Sequence, residues 1–207
     1  NWFMLKTLKK YKLFITTMVV LSAIIIISFY NILTPTKVLP IYQPAQVNFE
    51  LVDSTIQHKK KYHKIADFKL VNQNGDTITQ AFYKDKIYVA DFFFTTCQTI
   101  CPIMTDHMYE IQKQTISDPE VLLLSHTVTP EIDSVAQLKR YAKKKLVNST
   151  KWNLVTGDKK QIYDLARTSY LAVKTSGDGG PYDMIHTENF MLIDKKKQIR
   201  GFYDGTD

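Results

Sequence analysis

IYVADFFFTTCQTICPIMTDHMYEIQKQ, residues 87–114, is the stretch that decides the fold. Ile87–Phe94 is apolar nearly throughout and rich in β-branched and aromatic side chains, the pattern of a buried strand. It runs directly into Thr95-Thr96-Cys97. From Met104 to Gln114 the period changes, with Met104, Met108 and Ile111 recurring at helical spacing. Those methionines read as core rather than as a ligand set, because thioethers at helical spacing usually pack. Pro102 suits the first turn of that helix, where its missing N–H costs nothing. If helical geometry begins near Cys97, then Cys97 and Cys101 lie about 40° apart on one face, with Cβ atoms about 5–6 Å apart.

These are the only two cysteines in the 207 residues. A disulfide-stapled scaffold would carry more of them, at wider spacing. A bridge between positions four apart closes too small a loop to restrict the unfolded chain much. The pair therefore reads as chemical. A helix N-terminus stabilises negative charge and lowers a thiol pKa, and thiolate is the form that binds metal and attacks disulfides. Soft thiolates select Cu(I), zinc or iron–sulfur clusters. Clusters ordinarily need four cysteines and structural zinc four closed ligands. Cu(I) accepts fewer, so two thiolates and one imidazole suit it best. Two histidines compete for the third place. His186 sits in GGPYDMIHTENFMLID (179–194), a Gly-rich loop running into a strand, where sites are commonly built. His126 lies near the end of VLLLSHT (121–127), and His107 reads as an ordinary side chain of the helix.

The flanking elements extend the same pattern. VLLLSHT is a second buried strand, and DSVAQLKRYAKKK (133–145) is a helix with an Asp/Ser cap and lysines suited to its C-terminus. WNLVT (152–156) is a short strand and GDKKQIYDLARTSY (157–170) a further helix. NFMLID (189–194) and IRGFYD (199–204) are strands joined around Lys195–Lys197. Upstream, DFKLVNQNGDTIT (67–79) alternates apolar and polar residues around Asn74-Gly75, a strong hairpin signal. Strands alternating with helices, then a closing hairpin, predict an α/β domain with helices packed on a sheet.

Lys6, Lys9, Lys10 and Lys12 precede LFITTMVVLSAIIIISFYNIL (13–33), which holds no charge. At about 1.5 Å per residue it spans a hydrocarbon core of about 30 Å. It lacks the polar stripe of a core helix. It exceeds a signal-peptide core, and neither an A-x-A-like cleavage site nor a cysteine for lipidation follows it. The stretch reads as an uncleaved single-pass anchor in an inner or plasma membrane. The lysines predict a cytoplasmic N-terminus and a domain on the periplasmic or outer side. The expected organisation is a basic cytoplasmic tail (1–12), a transmembrane anchor (13–33), a tether (34–64) and the folded domain (65–207). Pro35, Pro40 and Pro44 break the tether. HKKKYHK (58–64) reads as a solvated charge run, with His58 and His63 in water. Residues 1–64 hold nine Lys/Arg and two Asp/Glu; residues 65–207 hold eighteen of each. A domain so balanced argues against nucleic-acid binding, which needs a basic surface. The first residue is Asn1, which makes Met4 a candidate natural start.

At VADFFFTTCQTICPIMT (89–105) the sequence resembles the Sco/SenC family of copper chaperones. The family pattern of strand, C-x-x-x-C-P and helix is met by Cys97, Cys101 and Pro102, and its distal histidine by His186-Thr187 before ENFMLID. A family D-P-x-x-D-T segment is met in TPEIDS (129–134) by Pro130 and Asp133, with Thr129 and Ser134 as departures; the closing GFYDGT (201–206) also matches. The resemblance covers roughly residues 65–207 and implies a thioredoxin-like fold preceded by a single transmembrane helix. It further implies copper as the cargo, Cu(I) and also Cu(II), held by Cys97, Cys101 and His186. The implied recipient is an apo cuproprotein, cytochrome c oxidase subunit II, whose copper centre is filled during assembly. Asp133 is implied as a structural acid or one standing behind the ligands. Gln98, where many members have Pro, implies a less rigid loop and a different redox poise. Relatives continue into a final helix, which is expected to be missing here. In similar thioredoxin-like reductases a Pro precedes the strand facing the cysteines. With Phe190 as anchor, Thr187 takes that place, and His186 is left beside the thiols.

A second reading belongs to a different class. Cys97 and Cys101 would be the redox-active pair of a membrane-anchored thiol–disulfide oxidoreductase that keeps a partner's copper-site cysteines reduced. A sensor without delivery is a third. A peroxidase is disfavoured, because no Arg lies near Cys97 in the sequence.

Overall fold

The computed structural model describes residues 9–34, 38–47, 58, 62–173 and 183–207. The chain divides into two units, Asn1–Val38 and Leu39–Asp207.

In the first unit, helix α1 (Lys12–Leu33) covers the uncharged run. It is long and apolar enough to cross a membrane by length and composition. Two of its hydroxyls turn back on the helix: Thr16 and Thr17 donate to the carbonyls of Lys12 and Leu13, at 2.8 and 2.7 Å. Such back-bonding satisfies polar groups in an apolar stretch.

In the second unit, strands β1 (Lys69–Asn72), β2 (Thr77–Thr79), β3 (Ile87–Phe93), β4 (Val121–Thr127), β5 (Trp152–Thr156), β6 (Asn189–Ile193) and β7 (Ile199–Asp204) form one sheet, ordered β2-β1-β5-β4-β3-β6-β7. β3, β4 and β5 run parallel, and the outer pairs are antiparallel. The expected β1–β2 hairpin is present. Gly75 takes φ +89 at its turn, and the Asn72 side chain accepts from the N–H groups of Asn74 and Asp76.

Helix α2 (Ile100–Gln114) connects β3 to β4, and α3 (Val135–Lys144) connects β4 to β5. Both pack on one face of the sheet with Phe93, Leu123, Trp152, Leu154 and Phe190. Met104 and Met108 are fully buried there, as their helical spacing predicts. Ser134 caps α3 by accepting from the Gln137 N–H. Asp133, the other cap candidate, is turned inward instead.

Helix α4 (Lys159–Asp164), capped by Asp158, continues into a π-helical turn, Leu165–Ser169. With Tyr170–Val173 it packs on the opposite face against Tyr88, Phe92 and Leu124. The chain thus leaves β3 toward β4 and β5 on one side and returns to β6 on the other. Crevices at the carboxyl ends of strands where direction reverses are the usual ligand sites of α/β sheets.

Part of the expected tether packs on this unit. Tyr42 donates its N–H to the Ile199 carbonyl at 2.9 Å, and its ring meets Phe202 edge-on at 5.3 Å. His63 was expected in water beside His58. It is buried instead, with Nε2 2.7 Å from the Ser169 carbonyl and its N–H donated to Gln43. Its flanking lysines hid that partner, which lies more than a hundred residues away.

Candidate metal centre

β3 ends at Phe93, and a turn closes from the Cys97 N–H to the Phe94 carbonyl at 3.3 Å. Helix α2 begins only at Ile100. Cys97 therefore lies in the turn and Cys101 in the first helical turn, not on one helical face as the spacing suggested. Pro102 falls within that first turn, where N–H groups lack intrahelical acceptors. Both cysteines are free; Cys97 is half-buried and Cys101 buried.

The two thiols interact but are not equivalent. Partial burial pushes the Cys97 thiol up. Hydrogen bonds with the Thr99 hydroxyl, the backbone of Cys101 and Thr99, and the Cys101 thiol outweigh this and bring it down to about 7. The Thr99 Oγ1 lies 3.5 Å from Cys97 Sγ. Desolvation dominates at Cys101 and, with the Cys97 contact and the charges of Cys97 and Asp91, pushes it up to about 12. Near neutral pH, Cys97 is the available thiolate and Cys101 the protonated reserve.

Asp133 holds the turn in place. Its fully buried carboxylate accepts from the Thr95 N–H at 3.1 Å, the Thr95 hydroxyl at 2.5 Å, and the hydroxyls of Thr127 and Thr129. Gln137 on α3 donates to the Thr95 hydroxyl at 2.9 Å. The end of β4 and the start of α3 thereby fix the cysteine turn.

His186 lies in the segment leading into β6. Ile185 and Thr187 are buried, while Met184, His186 and Glu188 are exposed, so the imidazole faces solvent. β3 and β6 pair as Tyr88↔Ile193, Val89↔Leu192 and Ala90↔Met191. The same register continued would set residue 186 opposite residue 95, two positions before Cys97. Among the described residues no three His, Cys, Asp or Glu side chains group closely enough to hold a metal ion. The structure thus brings the two thiols together after β3 and leaves His186 exposed three residues before β6, the strand beside β3.

His126, the rival, and His107 have other roles. His126 is fully buried, stacked on Phe92 at 4.8 Å and edge-on to Tyr170 at 5.2 Å. Burial lowers its pKa to about 4, so it is neutral at physiological pH. His107 Nδ1 lies 2.8 Å from the Gly205 carbonyl and ties α2 to the end of the chain.

One group near the thiols escapes a reading by motif. Asp91, on β3, is buried, and its Oδ1 has no hydrogen-bond partner among the described residues. Desolvation raises its pKa to about 7 against a hydrogen bond with Ser125. A lone acid inside IYVADFFF is the signal that marks it.

Residues 56–207 match the SCO1/SenC family model. This chain belongs to that family. The SCO1 protein homolog of Bacillus subtilis is 31% identical over 147 residues, covering 70% of this chain and 76% of that protein. Among solved structures, BsSco, described as a Sco-family cytochrome c oxidase assembly protein with a disulfide switch, is 30% identical. It superposes with a TM-score of 0.60 over 70% of this chain and 85% of its own. Copper-bound ScoI of Bradyrhizobium japonicum is 25% identical, with a TM-score of 0.57 over 70% of this chain and 92% of its own. The fold of this Sco-family chain is the expected thioredoxin-like α/β arrangement, with one apolar N-terminal helix that qualifies as a membrane span.

Proposed function

We propose that this Sco-family chain is a membrane-anchored copper carrier that loads the copper centre of cytochrome c oxidase, subunit II, during assembly. Cys97 and Cys101 are its thiolate ligands and His186 its imidazole ligand. The observation that carries the reading is the thiol pair at the carboxyl end of β3, beside the strand that His186 precedes. Two soft sulfurs and one nitrogen suit Cu(I), and an exposed imidazole in the segment before the neighbouring strand can close on Cu(II) as well. The relatives support the cargo and the process: ScoI of Bradyrhizobium japonicum holds copper, and BsSco belongs to a group of oxidase assembly proteins. The organisation that serves this role is a basic cytoplasmic tail, the α1 anchor, and a domain on the outer side, with the lysines setting orientation.

The test is copper stoichiometry and affinity of the full chain in detergent, with Cys97→Ser, Cys101→Ser and His186→Ala. One copper per chain is expected, with each variant binding at least tenfold more weakly, the scale of losing an orienting or ligating group. Unchanged affinity in His186→Ala would refute the three-ligand site.

The split between the two thiols favours a second reading, thiol–disulfide exchange. The Cys97 thiolate attacks a partner disulfide, forming a mixed disulfide and releasing one partner thiolate. Cys101 then gives up its proton and attacks the Cys97 sulfur, releasing the second partner thiolate. The partner gains two electrons and the Cys97–Cys101 pair loses two. In this reading Cys101→Ser traps the mixed disulfide, and His186→Ala leaves turnover intact.

A further inference from the structure

Arg167 and Asp183 form an ion pair, Nη2 to Oδ1 2.7 Å, with side chains only 6% and 8% exposed. The guanidinium lies 5.4 Å from the centroid of the Tyr163 ring. The Tyr163 hydroxyl is shared between the carbonyls of Asp183, at 3.1 Å, and Val128, at 2.8 Å. One small cluster thus joins the turn after α4, the residue following β4, and the segment that leads into β6.

Stability alone is a poor reason for such a pair. Removing two charges from water is costly, and apolar residues of similar volume often serve a core as well or better. A buried pair does supply direction, because each partner accepts one geometry. Asp183 stands three residues before His186. Between them Ile185 is buried in the core, and Thr187 beyond is buried too. Burial alternates strictly from Met184 to Glu188, so residue 186 faces away from the side that Ile185 and Thr187 bury. Pinning residue 183 fixes where that alternation starts.

We propose that Arg167 and Asp183 are positioning residues for the copper site: their ion pair anchors the histidine-bearing segment so that the His186 imidazole meets the thiols of Cys97 and Cys101. The proposal rests on the copper reading above. In this role the effect of the pair on copper passes through residue 186.

The experiment loads the full chain in detergent with Cu(I), measures affinity by competition with a colorimetric Cu(I) chelator, and records copper X-ray absorption. Near-ultraviolet circular dichroism follows the fold of each sample. Asp183→Asn and Arg167→Met are expected to weaken binding about tenfold, the low end for residues that orient a ligand. The sulfur shell should stay intact while imidazole scattering fades. Arg167→Lys, which keeps the charge, should recover most of the affinity. Affinity and imidazole scattering equal to wild type in both Asp183→Asn and Arg167→Met, with His186→Ala impaired, overturn the positioning role. So does a loss that tracks only the unfolded fraction. If His186→Ala itself matches wild type, the copper reading fails first.

Discussion

The carboxylate of Asp133 holds Thr95 twice, by its backbone N–H at 3.1 Å and its hydroxyl at 2.5 Å, two residues before Cys97. The thiol turn is therefore braced from the opposite end of the β4–α3 connection. Asp133→Ala leaves the Thr95, Thr127 and Thr129 donors without their acceptor in a buried place. A loss on the order of 3 kcal/mol follows, measured by urea denaturation of the full chain in detergent. Thr129→Val, which removes one donor, should cost about 1 kcal/mol.

The thiols should react in order. Cys97, at about 7, is half ionised near neutrality, whereas Cys101, at about 12, stays protonated and buried. Timed alkylation followed by peptide mapping should label Cys97 first, with a rate that rises through about pH 7 and then levels. Cys101 should lag until denaturant is added. Equal labelling of the two at pH 7 would contradict the asymmetry.

His126 and Asp91 should give stability slopes of opposite sign in acid. Native His126 stays neutral down to about 4, while the unfolded residue takes its proton near 6.5, so stability from this group rises with pH across that window. Native Asp91 keeps its proton up to about 7, while the unfolded residue releases it near 3.8, so stability from that group falls as pH rises. Each slope is at most about 1.4 kcal/mol per pH unit. The two largely offset in the native chain. His126→Phe should leave a protein that weakens from pH 4 to 7, and Asp91→Asn one that strengthens from pH 4 to 6.5. Denaturation midpoints across that range test each group separately: a flat profile in His126→Phe overturns the Asp91 assignment, and a flat profile in Asp91→Asn overturns that of His126.

Gly201 in β7 and Gly205 just after it should differ in tolerance. A Cβ on Gly205 would meet the Phe190 ring at 2.8 Å and the Glu188 carbonyl at 2.9 Å. Backbone cannot yield, so Gly205→Ala should cost about 1–3 kcal/mol and disturb the lead into β6. The three atoms nearest a Cβ on Gly201 all belong to the far end of the exposed Tyr203 side chain, which can turn aside more cheaply than backbone. Gly201→Ala should cost less than about 1 kcal/mol. Thermal melts of the two variants compare them directly.

Local pattern carried much of this protein. The apolar run before Cys97, the Met104–Met108 spacing, the Asn74-Gly75 turn and the uncharged 13–33 segment each state their conformation within a few residues, because period and turn chemistry act at short range. The cysteine spacing did not fix the local geometry. Helix α2 starts at Ile100 rather than near Cys97, since the tight turn closed on Phe94 consumes the residues between. What only tertiary structure decided is the choice of distant partners. Burial and stacking made His126 neutral, and the Ser169 carbonyl drew His63 out of a charged run. Arg167 found Asp183, and Asp133 gathered three threonines. Each of these depends on which strand lies beside which, and a buried polar group takes whatever partner that packing brings within about 3 Å.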